Sequence, residues 1–200
     1  MSKKLLIIIT NRKLIKVGSL STVINSAVIA GADGIILREK DLSYKELLPI
    51  SQSLKNITDR NKVPLIINSN LQTALSINAS AYNTSYESFI KNPLAFKGLT
   101  GVSVHSTMEG INAEKLGAGY LLAGHVFETN CKKGLKGRGV AFIKNICAST
   151  SIPVIAIGGI NETNAPEVLN CGAAGIAVMS SVMEADDPYL VVSNLKKHFI

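Results

Sequence analysis

Short apolar runs recur along the chain, most of them separated by stretches with helical spacing. The runs fall at 5–9, 34–39, 64–69, 79–83, 101–104, 120–124, 153–158 and 175–180. Several, such as LLIII and VIAI, show no polar alternation, the pattern of strands covered on both faces. Between them, 19–30, 43–60, 107–117, 140–149, 162–171 and 182–197 carry the apolar periodicity of helices. Gly31, Gly117 and Gly172 each follow such a stretch, where a left-handed helix end favours glycine, and each leads through a small residue into the next strand. The weakest stretch is 78–97, where the fourth strand is poorly marked and the fourth helix is expected as little more than a turn.

Alternation of strand and helix predicts a parallel sheet. An open doubly wound sheet would favour a glycine fingerprint after the first strand, and Thr10-Asn11-Arg12 supplies none. Polar residues instead stand at the ends of many strands, and a closed barrel gathers all such ends on one rim. The expectation is a single-domain (β/α)8 TIM barrel over residues 1–200.

Composition narrows the class. The chain is 46% hydrophobic and 18% charged, which excludes disorder, and with no Trp its core must be built mainly from aliphatic side chains. The net charge of +7 suits an anionic partner. The cations are scattered apart from Lys132, Lys133, Lys136 and Arg138, with no aromatic-rich basic stripe, so nucleic acid is not expected. Three widely spaced cysteines imply neither a disulfide framework nor a zinc site. The apolar start is too short for a membrane span and lacks a cleavage site, so a cytoplasmic protein is expected.

Candidate chemistry sits at the strand ends. Gly158 and Gly159 after strand 7, with the Met179 and Ser180 amides and the Ser180 hydroxyl after strand 8, predict a phosphate cradle, because loops there form the usual phosphate pocket of this architecture. In Arg38-Glu39-Lys40, alternation puts the two cations on one face, where they would hold a carboxylate or a diphosphate. The bland alternative is a solvated strand end with a Glu39 salt bridge. The long basic loop GHVFETNCKKGLKGRG (124–139) reads as a binding loop. His125 at its root is the candidate acid–base group, His105 its rival, and His198 a surface residue. Cys131 has no evident base beside it and reads as incidental.

Taken in order, REK, IIN, GVSVHS, the 124–139 loop, IPVIAIGGI and AVMS resemble the thiamine phosphate synthase family and its thiazole tautomerase (TenI) branch. The loop block resembles the tautomerase, whose histidine at this position is the acid–base catalyst. The synthase typically reads Gly-Pro-x-Phe-x-Thr-x-Thr-Lys there, whereas this chain has Gly124-His125-Val126-Phe127-Glu128-Thr129-Asn130-Cys131-Lys132. Synthases also need an aspartate after the strand-3 asparagine and an acid after strand 4, for magnesium and diphosphate. Here Asn68 is followed by Ser69, and strand 4 leads into Asn83-Thr84-Ser85-Tyr86.

The resemblance therefore implies an isomerase of thiamine biosynthesis: a thiazole tautomerase that aromatises a carboxylated dihydrothiazole phosphate, with His125 moving the proton and no metal or cofactor. Arg38, Lys40, Asn68, Ser103, Thr129, Asn130, Cys131, Lys132, Gly158, Gly159, Met179 and Ser180 are expected to hold the substrate. The alternatives are the magnesium-dependent synthase, joining a pyrimidine diphosphate to thiazole phosphate, and a non-catalytic thiazole phosphate sensor. The expected partner is a small phosphorylated thiazole, with no nucleic acid or membrane; a homodimer is compatible with this reading.

Overall fold

The structure, a computed structural model, describes residues 3–93, 95–129 and 134–199. Eight parallel strands close in sequence order, β1 (Leu5–Ile9), β2 (Gly34–Leu37), β3 (Leu65–Asn68), β4 (Ala81–Ser85), β5 (Leu99–Val104), β6 (Tyr120–Gly124), β7 (Val154–Ile157) and β8 (Gly175–Val178), with β8 pairing back onto β1. The chain is a TIM barrel.

Strand alternation sorts the apolar side chains into two cores. Ile7, Ile9, Ile36, Ile66, Tyr120, Leu122 and Ile155 fill the barrel interior. Leu6, Ile8, Ile35, Leu37, Leu65, Ile67 and Leu121 point outward against the helices. Apolar residues on both faces explain why these strands read as unbroken runs.

The helices are α1 (Leu20–Ile29), α2 (Tyr44–Arg60), α3 (Leu71–Ser76), α4 (Tyr86–Lys91), α5 (Thr107–Lys115), α6 (Gly139–Ser149), α7 (Ala165–Asn170), α8 (Ser180–Met183) and α9 (Pro188–Lys196). Behind α1 and α5, Gly31 and Gly117 have φ of +103° and +93°. The Ala32 and Ala118 amides reach back to the Ala27 and Ala113 carbonyls, closing each helix as the Gly-Ala pattern predicts.

Three expectations need correction. The weak segment holds a full strand, β4, followed by α4, whose first turn is capped by the Ser85 hydroxyl. Helix α3 went unread because it is six residues long, although Asn70 caps it by accepting from the Thr73 amide. The helix expected over 182–197 is two, because Asp187 caps a fresh start at Pro188.

Candidate active site

The C-terminal strand ends surround a cavity of about 260 Å³ in the barrel mouth. Its floor is apolar, made by Ile9, Ile36, Leu122, Ile157 and Ala177. Its rim holds Arg38, Lys40, Asn68, Ser103, His125, Thr129, Gly158, Gly159, Met179 and Ser180, so every described residue of the expected site converges there. Asn130, Cys131 and Lys132 lie outside the described residues. Past Thr129, Gly159, Ile160 and Ser180 the mouth opens into an outer groove of about 1070 Å³ beside α9. That groove is the larger space, but it carries Glu184, Asp186 and Asp187 on its far wall, so the enclosed mouth is the better candidate for an anionic substrate.

Just after β2 the cations Arg38 and Lys40 are separated from the nearest carboxylate. Glu39 is buried behind the strand, where it accepts from the Thr10 hydroxyl (2.8 Å), the Arg12 amide (3.0 Å) and the Arg12 guanidinium (3.0 Å). Arg12 also clamps Asp41 through both its terminal nitrogens, at 2.8 and 2.7 Å. The hydrogen bonds from Arg12 and then Lys13 hold the Asp41 carboxyl far below the usual carboxylate range. With both acids occupied, Arg38 and Lys40 face the mouth with no carboxylate partner among the described residues. The Arg38 charge, then burial, pushes the Lys40 ammonium down. An incoming anion would relieve that repulsion.

The opposite arc is shaped by glycine. Gly158 has φ +108°, and a Cβ there would stand 2.4 Å from the Cβ of His125. At Gly159 a Cβ would stand 2.6 Å from the Glu128 carbonyl oxygen. These close approaches let the β7 loop fold under the start of the 124–139 loop. Next to it, the Ser180 and Ser181 amides begin α8, where no preceding helical turn supplies an acceptor.

Two histidines face the mouth, each oriented by a carbonyl. His105 Nδ1 is 2.7 Å from the Gly124 oxygen, and His125 Nε2 is 3.2 Å from the Leu135 oxygen. A carbonyl only accepts, so those nitrogens carry the protons. In the neutral rings, His105 Nε2 and His125 Nδ1 are left with lone pairs. His125 is buried and its Nδ1 has no partner in the protein.

The β3–β5 wall is neutral. Asn83, wholly buried, donates through Nδ2 to Asn68 Oδ1 (3.0 Å) and Ser103 Oγ (3.1 Å), and accepts at Oδ1 from the Tyr120 hydroxyl (3.2 Å). Asn68 Nδ2 donates in turn to Ser69 Oγ (2.8 Å). Sequence reasoning missed Ser69, Asn83 and Tyr120 as parts of this wall. Asn83, a polar residue within a strand, was the available signal.

The closed parallel barrel thus gathers two cations and a glycine-shaped arc over an apolar floor, at the end of the barrel where enzymes of this architecture place their sites. The family model described as thiamine monophosphate synthase (TMP-TENI) matches residues 6–182, and the chain belongs to that family. Thiamine-phosphate synthase of Clostridium botulinum is 36% identical over 195 residues, spanning 95% of both chains. That of Clostridium acetobutylicum is 36% identical over 184 residues, spanning 90% of this chain and 87% of its own. Among solved structures, thiamine phosphate pyrophosphorylase from Pyrococcus furiosus superposes with a TM-score of 0.86 at 32% identity, covering 98% of this chain and 95% of that one.

These relatives overturn the expected tautomerase. The isomerase reading rested on the 124–139 block and on the two acids absent after strands 3 and 4, whereas similarity spread over nearly the whole chain leads to proteins named as synthases, which are transferases. His125 as a ring-proton shuttle falls with that reaction.

Proposed function

We propose that the chain is a transferase of the thiamine phosphate synthase type, joining a pyrimidine carried as its diphosphate to a thiazole phosphate. In that reaction the bond from the pyrimidine methylene carbon to the diphosphate oxygen breaks. Its electron pair leaves with the diphosphate, and the thiazole ring nitrogen supplies the pair for the new carbon–nitrogen bond. The observation that carries the reading is the pair of separate anion-binding arcs on one mouth. Arg38 and Lys40, just after β2, suit a diphosphate, and the Gly158, Gly159, Met179 and Ser180 arc suits a monophosphate, with β1 between them.

The apolar floor takes the rings and excludes water from the reacting carbon. The opening past Thr129 into the outer groove gives room for two substrates in sequence. His105, whose Nδ1 is held by the Gly124 carbonyl, lines the mouth and offers its Nε2 lone pair to orient a ring donor. Asn68 and Ser103 line the β3–β5 side.

Magnesium, which the synthase branch of the family needs, does not fit the residues present. Among the described residues no carboxylate lines the mouth and no acidic, histidine and cysteine cluster could hold a metal ion. A hard divalent cation favours anionic oxygens, and this rim offers amides, hydroxyls and cations.

Incubating the purified chain with pyrimidine methyl diphosphate and thiazole phosphate tests the reading. Formation of thiamine phosphate is expected; no product, with or without magnesium, overturns it.

A further inference from the structure

We infer that the β3–β5 wall is a hydrogen-bond donor surface that receives the oxygens of a diphosphate directly, so that the chain binds this anion without a divalent cation. The inference rests on the transferase reading only for the identity of the anion.

The polarity of the wall carries the argument. The hydrogen bonds run from Tyr120 to Asn83, from Asn83 to Asn68 and Ser103, and from Asn68 to Ser69. Each amide oxygen in this ladder already accepts a hydrogen bond, and the Asn83 oxygen is sealed in the barrel. The oxygens a cation would seek are turned into the wall. Ser69 and Ser103 end the ladder at the mouth. Each hydroxyl spends a lone pair on an amide N–H, which leaves its own proton to donate outward. Arg38 and Lys40 line the same mouth.

The wall is also held in place. Gly101 lies under the Tyr120 ring, where a Cβ would come within 1.9 Å of the ring carbon bearing the hydroxyl. Ser69 sits at φ +64°, with its amide bonded to the Asn83 carbonyl at 2.8 Å. Donors preset in this way suit an anion that would otherwise require a counter-ion.

The nearby carboxylates are engaged elsewhere. Glu39 is tied by Thr10 and Arg12, and Glu109 accepts from the His105 amide at 2.6 Å. Glu87, exposed at the start of α4, is not among the residues that line the mouth.

The test is calorimetric titration of the full chain with inorganic diphosphate in EDTA, repeated with magnesium. Saturable binding in EDTA is expected, with no strengthening by the metal. Ser69→Ala and Ser103→Ala should each weaken metal-free binding roughly 10- to 100-fold, the worth of one hydrogen bond to a charged acceptor. Ser69→Asp, a change the left-handed backbone tolerates, should abolish metal-free binding and make what remains magnesium-dependent. Melting curves establish that the variants fold. Binding by the wild type only with magnesium, or unchanged affinity in both alanine variants, would overturn the inference. Metal-free binding without turnover would leave it standing and count against the transferase reading.

Discussion

Gly158 and His125 are packed so closely that the backbone of one leaves no room for a side chain on the other: a Cβ at position 158 would meet the His125 Cβ at 2.4 Å and its Cα at 2.7 Å. The β7 loop thereby fixes the histidine at the root of the 124–139 loop, through contacts between strands that are neighbours in the barrel.

Gly158→Ala should therefore be costly for two reasons, the contact and the positive φ. A loss of about 1–3 kcal/mol is expected from backbone strain of this kind. Denaturant unfolding reads the stability, and a lower affinity for thiazole phosphate reads the displaced loop.

The two cationic residues that follow β2 should separate the substrates kinetically. Arg38→Ala is expected to raise KM for the pyrimidine diphosphate at least tenfold, with a much smaller effect on KM for thiazole phosphate. A charge-assisted hydrogen bond worth about 1.5–3 kcal/mol sets that scale. Steady-state kinetics with each substrate varied in turn gives the comparison, and equal rises in both KM values would speak against a dedicated diphosphate arc.

Tyr120 should matter more through its hydroxyl than its position suggests. Burial pushes the phenol pKa up, keeping it protonated and able to donate to Asn83. Tyr120→Phe leaves a buried amide oxygen without that donor, at a cost of about 1–3 kcal/mol. Thermal unfolding measures it, and metal-free diphosphate binding should weaken as the ladder slackens.

Asp33 ties the start of β1 to the last α-helix, accepting from the Leu6 amide (2.9 Å), Lys196 (2.7 Å) and Lys3 (2.8 Å). Burial opposes its ionised form, but the bonds from Lys196, Lys3 and Leu6 outweigh burial and lower its pKa. The folded pKa lies below the unfolded value of about 3.9, so this stabilisation is complete above that pH and lost as pH falls through the folded pKa. Asp33→Asn should lower stability at neutral pH and flatten the decline in strong acid. Urea midpoints between neutral pH and strong acid test the sign.

Much of the barrel was legible because strands buried on both faces leave unbroken apolar runs, and because Gly31 and Gly117 mark helix ends that only a left-handed residue closes. Helix α3 escaped because six residues hold too little periodicity to register, and β4 read weakly, two residues early, because Asn83 and Thr84 break its apolar pattern while being buried. The rim residues could be read from their places at strand ends. Two relationships could not. The engagement of Glu39 by Arg12 depends on how β1 and β2 meet, and the amide ladder joins residues 68, 83, 103 and 120 through barrel closure alone. The branch was misread because one loop block and two absent acids were given more weight than the similarity of the whole chain.

Phosphorus NMR of a single reaction mixture tests the central claim most directly, since it resolves both phosphorylated substrates and both products. The account predicts that diphosphate appears in step with thiamine phosphate, one for one, and only when both substrates are present. Diphosphate released without thiazole phosphate, or both substrates left unchanged, would contradict it.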